Sequence, residues 1–178
     1  MVIIGIMTRD WWWKDKKTLA LWHKIHNMTP EEFSKMDPKV KAELKYWYGN
    51  IFFFKAYPAQ KPIVDDSAFS VYVHGNNSSG KSYCSAAATA YNIIGWHPER
   101  EISKPKYGDR IVWAFSPSFD IQRTSSQVHL FSTDTPNDIG LLPSLESIEK
   151  RGGKVSWGKN RCLDFVKFWD GTVLEFKS

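Results

Sequence analysis

Cysteine is nearly absent: Cys84 and Cys162 are the only two in 178 residues. Two thiols so far apart in sequence make neither a disulfide framework nor a zinc site. The five histidines show no metal-ligand spacing, and His23 and His26 stand i, i+3 without a third ligand beside them. Long apolar runs are missing too. Residues 1–7 are apolar but far too short to span a bilayer, and they lack the charged start and long apolar core of a signal peptide. These absences exclude a disulfide scaffold and place the expected protein in a reducing, soluble compartment with no membrane partner. There is no internal repeat and no low-complexity segment. An acidic excess is also lacking: the net charge is +5. Residues 1–62 hold 11 Lys/Arg against 6 Asp/Glu, and residues 63–178 hold 13 of each. A basic first third is either a footprint for nucleic acid or an acidic partner, or the solvated face of lysine-rich helices.

Aromatic residues, by contrast, are abundant, with nine Trp. Trp11, Trp12 and Trp13 are consecutive, so no single helix or strand face can bury all three. They either cover a neighbouring surface or build a satellite core under a loop.

The most specific pattern is Gly75-Asn76-Asn77-Ser78-Ser79-Gly80-Lys81-Ser82. It fits G-x-x-x-x-G-K-[ST], a loop that wraps nucleotide phosphates. Glycines let backbone N–H groups crowd around phosphate oxygens, the lysine places a charge at the β/γ-phosphates, and the last hydroxyl suits Mg²⁺. The flanks agree. Residues 69–74 alternate Phe69, Val71 and Val73 with polar or amphipathic neighbours, which is strand periodicity. Residues 81–94 are alanine-rich and predict a helix that packs closely on a sheet, capped by Gly95. A helix that starts at the glycine loop aims its amides and dipole at an anion.

Elsewhere the pattern predicts helices over residues 14–27, from Thr29 (a capping box with Pro30 and Glu32), and from Asp37-Pro38 to about Tyr48, stopped by Gly49. Residues 52–66 are expected to be irregular because of Pro58 and Pro62. A second strand is expected at 110–115, which with 69–94 makes a β-α-β unit and favours a parallel sheet. Ser118 or Asp120 caps a short helix through Gln127, and another helix spans 142–150. The tail reads as a hairpin. Asp170-Gly171 predicts a two-residue type I′ turn pairing Trp169 with Thr172 and Phe165 with Phe176.

Four stretches together resemble the N-terminal ATPase domain of tailed-phage terminase large subunits, the DNA-packaging motors. They are Tyr57-Pro58-Ala59-Gln60, fifteen residues before the loop; the loop with its helix and Gly95-Trp96-His97-Pro98; the strand and Ser-Pro turn over 111–119; and the hairpin over 166–178. The similarity covers roughly residues 50–178. It implies an α/β fold of the P-loop NTPase (ASCE) class, with a mainly parallel sheet flanked by helices. It divides the chain into a helical extension over 1–50 and a partial ATPase domain over 51–178. It further implies ATP and Mg²⁺ as cofactors, Lys81 as the catalytic lysine and Ser82 as the Mg²⁺ ligand. Gln60 would read adenine, as a side-chain amide with both donor and acceptor can, and Tyr57 would either pack on the base or serve structurally. Expected partners are duplex DNA, a portal protein and a small terminase subunit, in a ring-forming homo-oligomer in the host cytoplasm.

Two departures bear on catalysis. Ser78 stands where many members of the family carry an arginine, so an arginine finger must come from elsewhere; Arg100, Arg110 and Arg123 are candidates by default. Arg123 is alternatively a DNA-phosphate contact. The acidic strand that would supply the Mg²⁺ aspartate and the water-activating glutamate is expected beyond Ser178. Asp120 is read as a helix cap rather than a displaced metal ligand. The chain is therefore expected to bind nucleotide weakly and to hydrolyse it slowly. A helicase-like ATPase and a non-catalytic partner-binding module with a vestigial loop are the alternatives; a small-molecule kinase lacks a lid or acceptor signature.

Overall fold

A computed structural model describes residues 11–65, 80–102, 109–131 and 140–178. The expected strand at 69–74 and the first five loop residues, Gly75 to Ser79, lie outside the described residues.

The first third is helical. A 3-10 turn over Trp12–Lys14 leads to α1 (Lys16–His26), capped by Asp15, whose carboxylate accepts from Thr18 N at 2.8 Å. In α2 (Pro30–Ser34) the capping box is complete: Thr29 accepts from Glu32 N, and Glu32 accepts from Thr29 N. α3 (Pro38–Tyr48) opens at Asp37 and stops at Gly49. The stretch expected to be irregular contains a short helix, α4 (Lys61–Val64). Pro62 does not break it, because proline is tolerated in the first turn, where the amide has no helical partner anyway.

α5 (Lys81–Ile94) has the expected bounds and ends on Gly95 in the left-handed conformation. Cys84, Ala87, Tyr91 and Ile94 recur at helical spacing on its buried face. β1 (Ile111–Phe115) follows, then a bent helix. That helix comprises α6 (Phe119–Gln122), a wide i→i+5 turn over Arg123–Gln127 and α7 (Val128–Phe131). Ser118, not Asp120, caps it. After α8 (Leu145–Lys150) come β2 (Lys154–Trp157), β3 (Leu163–Lys167) and β4 (Val173–Lys177).

The four strands form one sheet in the order β1-β4-β3-β2. Only β1 and β4 are parallel; the other two pairings are antiparallel. The fold is thus α/β, but the described sheet is mixed rather than mainly parallel. β2 had no sequence-based expectation.

The hairpin register also differs by one residue. β3 pairs Phe165 with Glu175 and Val166 with Leu174, and Phe168 N donates to Thr172 O at 2.8 Å. The loop therefore has three residues, Trp169-Asp170-Gly171, and only Gly171 has positive φ, at +92°. Asp170 is held instead by its own side chain, which accepts from Thr172 N at 2.9 Å and from the Trp11 indole at 2.5 Å. A one-residue slip exchanges the two sheet faces. Here it turns Val166, Leu174 and Phe176 inward and leaves Phe165 on the opposite face.

The three tryptophans belong to the main core. Trp11 and Trp12 are each 1% exposed. Trp12 packs on Trp22, Phe52 and Trp96, with centroids 4.8–5.9 Å apart. Trp13 donates its indole N–H to Ile94 O at 2.9 Å. The 3-10 turn points the rings in different directions, which a single helix or strand face could not do. One continuous apolar cluster runs from Trp11 to Phe176, joining the helical third to the sheet.

Candidate nucleotide-binding site

The site starts at the N-terminus of α5. Gly80 is its cap residue, with φ +79°, a conformation that strains any residue with a Cβ. Its carbonyl accepts from Cys84 N at 3.0 Å, which closes the first helical turn. Lys81 is the first helical residue and half-buried, and Ser82 is exposed beside it. The N-terminal amides and positive dipole end of a fourteen-residue helix thus coincide with the lysine and hydroxyl of the motif.

Gln60 reaches this point from twenty residues upstream. Tyr57 to Gln60 form a closed turn. Gln60 N donates to Tyr57 O at 2.8 Å, and Tyr57 N donates back to Gln60 Oε1 at 3.0 Å. The second bond holds the amide so that Nε2 lies 3.2 Å from where a Gly80 Cβ would stand. Glycine is therefore favoured at position 80 by backbone conformation, and a Cβ there would crowd the Gln60 amide. The Gln60 oxygen keeps a second lone pair, and its NH₂ keeps donors, so the amide retains both hydrogen-bonding senses.

α4 keeps Gln60 in place by packing on α5. Val64 is buried. Beyond it, Asp65 Oδ1 lies 3.3 Å from Nε2 of His97, whose side chain is fully buried. Nδ1 of His97 accepts from Glu99 N at 3.0 Å. Burial pushes the His97 pKa down, so at neutral pH the ring is uncharged, with its proton on Nε2 facing Asp65. Gln60 at one end and His97 at the other tie α4 to both ends of α5. Comparison with protein-family models, curated proteins and solved structures found no match.

Other expected residues fall elsewhere. The Tyr57 ring is 72% exposed. It lines a cavity of about 340 Å³ together with Ile25, His26, Phe33, Phe53 and Lys55. Arg110 Nη1 donates to Asn92 O at 2.8 Å, so this arginine serves the C-terminal end of α5. That is about 20 Å from Gly80 along a fourteen-residue helix. Asp120 and Arg123 are exposed on the bent helix. Among the described residues no group of three or more His, Cys, Asp or Glu is placed to hold a metal. A lone Ser82 hydroxyl does fit Mg²⁺ chemistry, because Mg²⁺ keeps several waters and takes few protein ligands.

Two buried glutamines had no sequence-based expectation. The Gln122 amide donates to Ala114 O and Lys177 O, joining the carboxyl ends of β1 and β4. The Gln127 amide donates to Leu163 O and accepts from Leu163 N, both at 2.9 Å. Their only signal was two glutamines five residues apart in a segment otherwise read as a short helix.

Proposed function

We propose that this chain is the nucleotide-binding part of a viral DNA-packaging ATPase with a P-loop fold. The observation that carries this reading is the Gln60 amide against Gly80, at the start of the helix that begins with Lys81 and Ser82. A base-reading amide and a phosphate-binding helix end belong together in a site for an adenine nucleotide, and twenty residues of sequence do not bring them together by themselves. ATP would lie with its phosphates against Lys81 and the loop, and its base toward Gln60. Lys81 would offset charge on the β/γ-phosphates, and Ser82 would hold Mg²⁺. When bound there, Mg²⁺ would supply neutralising charge to the phosphates. In the complete motor, hydrolysis would drive duplex DNA into a capsid shell, with a portal protein, a small terminase subunit and neighbouring copies in a ring as partners, in the host cytoplasm. Among the described residues no helix is long and apolar enough to cross a membrane.

Titration calorimetry with ATP and Mg²⁺ tests this reading. Lys81→Ala is expected to weaken ATP binding about tenfold or more, since it removes a charge-assisted contact. Gln60→Ala is expected to narrow the preference for ATP over GTP. Turnover by these 178 residues is expected to be slow, because the resemblance assigns the water-activating role to none of their acids. Wild-type protein that takes up no ATP, or binding that Lys81→Ala leaves unchanged, would overturn the assignment and favour a partner-binding module.

A further inference from the structure

Among the described residues, the sheet has one face against the helices and one without cover. On the open face, Ile111 and Trp113 are each 60% exposed and Phe115 is 70% exposed. The strand register sorts this face into cross-strand rows. Trp113, Glu175, Phe165 and Ser156 make one row; Ile111, Val173, Lys167 and Lys154 make the next. Lys154 and Lys167 stand directly opposite each other. Like charges in that position repel, and among the described residues neither lysine has an acidic partner. Lys154 lies 5.9 Å from the Phe165 ring centre. Lys177, beside Phe115 in the register, pairs with Glu175 at 2.9 Å. Glu175 is the only acid in these rows, and Lys177 already engages it.

We propose that this face binds a single-stranded polynucleotide, with bases on Trp113 and Phe165 and a phosphate between Lys154 and Lys167. The aromatic and lysine rows lie two residues apart along each strand, about 7 Å, which suits the reach of one nucleotide from base to phosphate. Exposed aromatics interleaved with cations are the chemistry of single-strand platforms. The cores of protein interfaces are instead depleted in lysine. A paired duplex cannot lay its bases on a sheet, so the expected ligand has unpaired bases. This inference does not depend on ATP binding at Gly80–Ser82.

Fluorescence anisotropy with labelled oligothymidylate and oligouridylate about 15 nucleotides long, and with a duplex of equal length, tests it; the two single strands report any choice of sugar. Both single strands are expected to bind more tightly than the duplex. Trp113→Ala is expected to weaken them about tenfold. The double variant Lys154→Gln/Lys167→Gln is expected to flatten the slope of log affinity against log salt by about 0.7, the share of one phosphate. Phe115→Ala, at a more exposed position, provides a second variant should Trp113→Ala lose its circular dichroism spectrum. Absence of single-strand binding by the wild type overturns the proposal. So does affinity unchanged in natively folded variants. Self-association lost in Trp113→Ala, without oligonucleotide affinity, would assign the face to contact between copies instead.

Discussion

His26 stacks on Trp22 with centroids 3.8 Å apart and donates its Nε2 proton to Phe52 O at 3.0 Å. Burial lowers its pKa from 6.5 to about 4, with Lys55 and His23 adding to the shift. The unfolded chain takes up this proton near pH 6.5 and the folded chain only near pH 4. Stability is therefore fully present above about pH 6.5 and is lost as pH falls toward 4. Burial shifts His97 and His129 in the same direction. Urea denaturation at pH 7, 6, 5 and 4 is expected to show a falling midpoint, and His26→Gln is expected to flatten that fall. A midpoint unchanged over this range would refute the buried-neutral state. His26 drew notice in the sequence only as half of an i, i+3 pair. Burial beneath Phe52 comes from chain packing, and no local pattern encodes it. Gly80, Lys81 and Ser82 could be singled out by contrast, because they stand in a contiguous motif. The contact of Gln60 with Gly80 joins two segments and needed the fold.

At the scale of elements, signals that act within a few residues were read correctly. The Thr29–Glu32 box, the Asp37-Pro38 start and the bounds of α5 all depend on caps and 3.6-residue periodicity. Signals that depend on distant partners were not. Asp170-Gly171 reads as a two-residue turn, but the Trp11 indole and Thr172 N hold Asp170 outside the left-handed region, and the loop gains a residue. Four-residue β2 was invisible because its pairing with β3 defines it. The wide turn in the bent helix places Gln127 against the β3 backbone, where it satisfies both polar groups of Leu163. Gln127→Leu would leave buried donors and acceptors unpaired and is expected to cost about 3 kcal/mol, measured as a lower urea midpoint. A loss under about 0.5 kcal/mol, the usual range of a surface change, would show that the clamp contributes little.

Across the whole molecule, the aromatic N-terminal segment is a structural tie. Trp11 meets the hairpin loop, Trp12 meets α1 and the 3-10 turn at Asn50–Phe52, and Trp13 meets the end of α5. Trp12→Ala would open a cavity among three aromatic neighbours and is expected to cost about 3–5 kcal/mol. That is a large share of the stability of an ordinary domain. Thermal unfolding followed by tryptophan fluorescence would report it, and a near-unchanged melting temperature would contradict the assignment. Sequence alone determined α2, α3 and α5 with their caps, the α/β class, and the phosphate-loop pattern ending at Ser82, because each follows from neighbours along the chain. Only the tertiary structure decided the mixed sheet, the one-residue hairpin shift, the Lys154–Lys167 pair and the approach of Gln60 to Gly80. Those depend on which surfaces bury one another, and burial couples residues that the sequence keeps far apart.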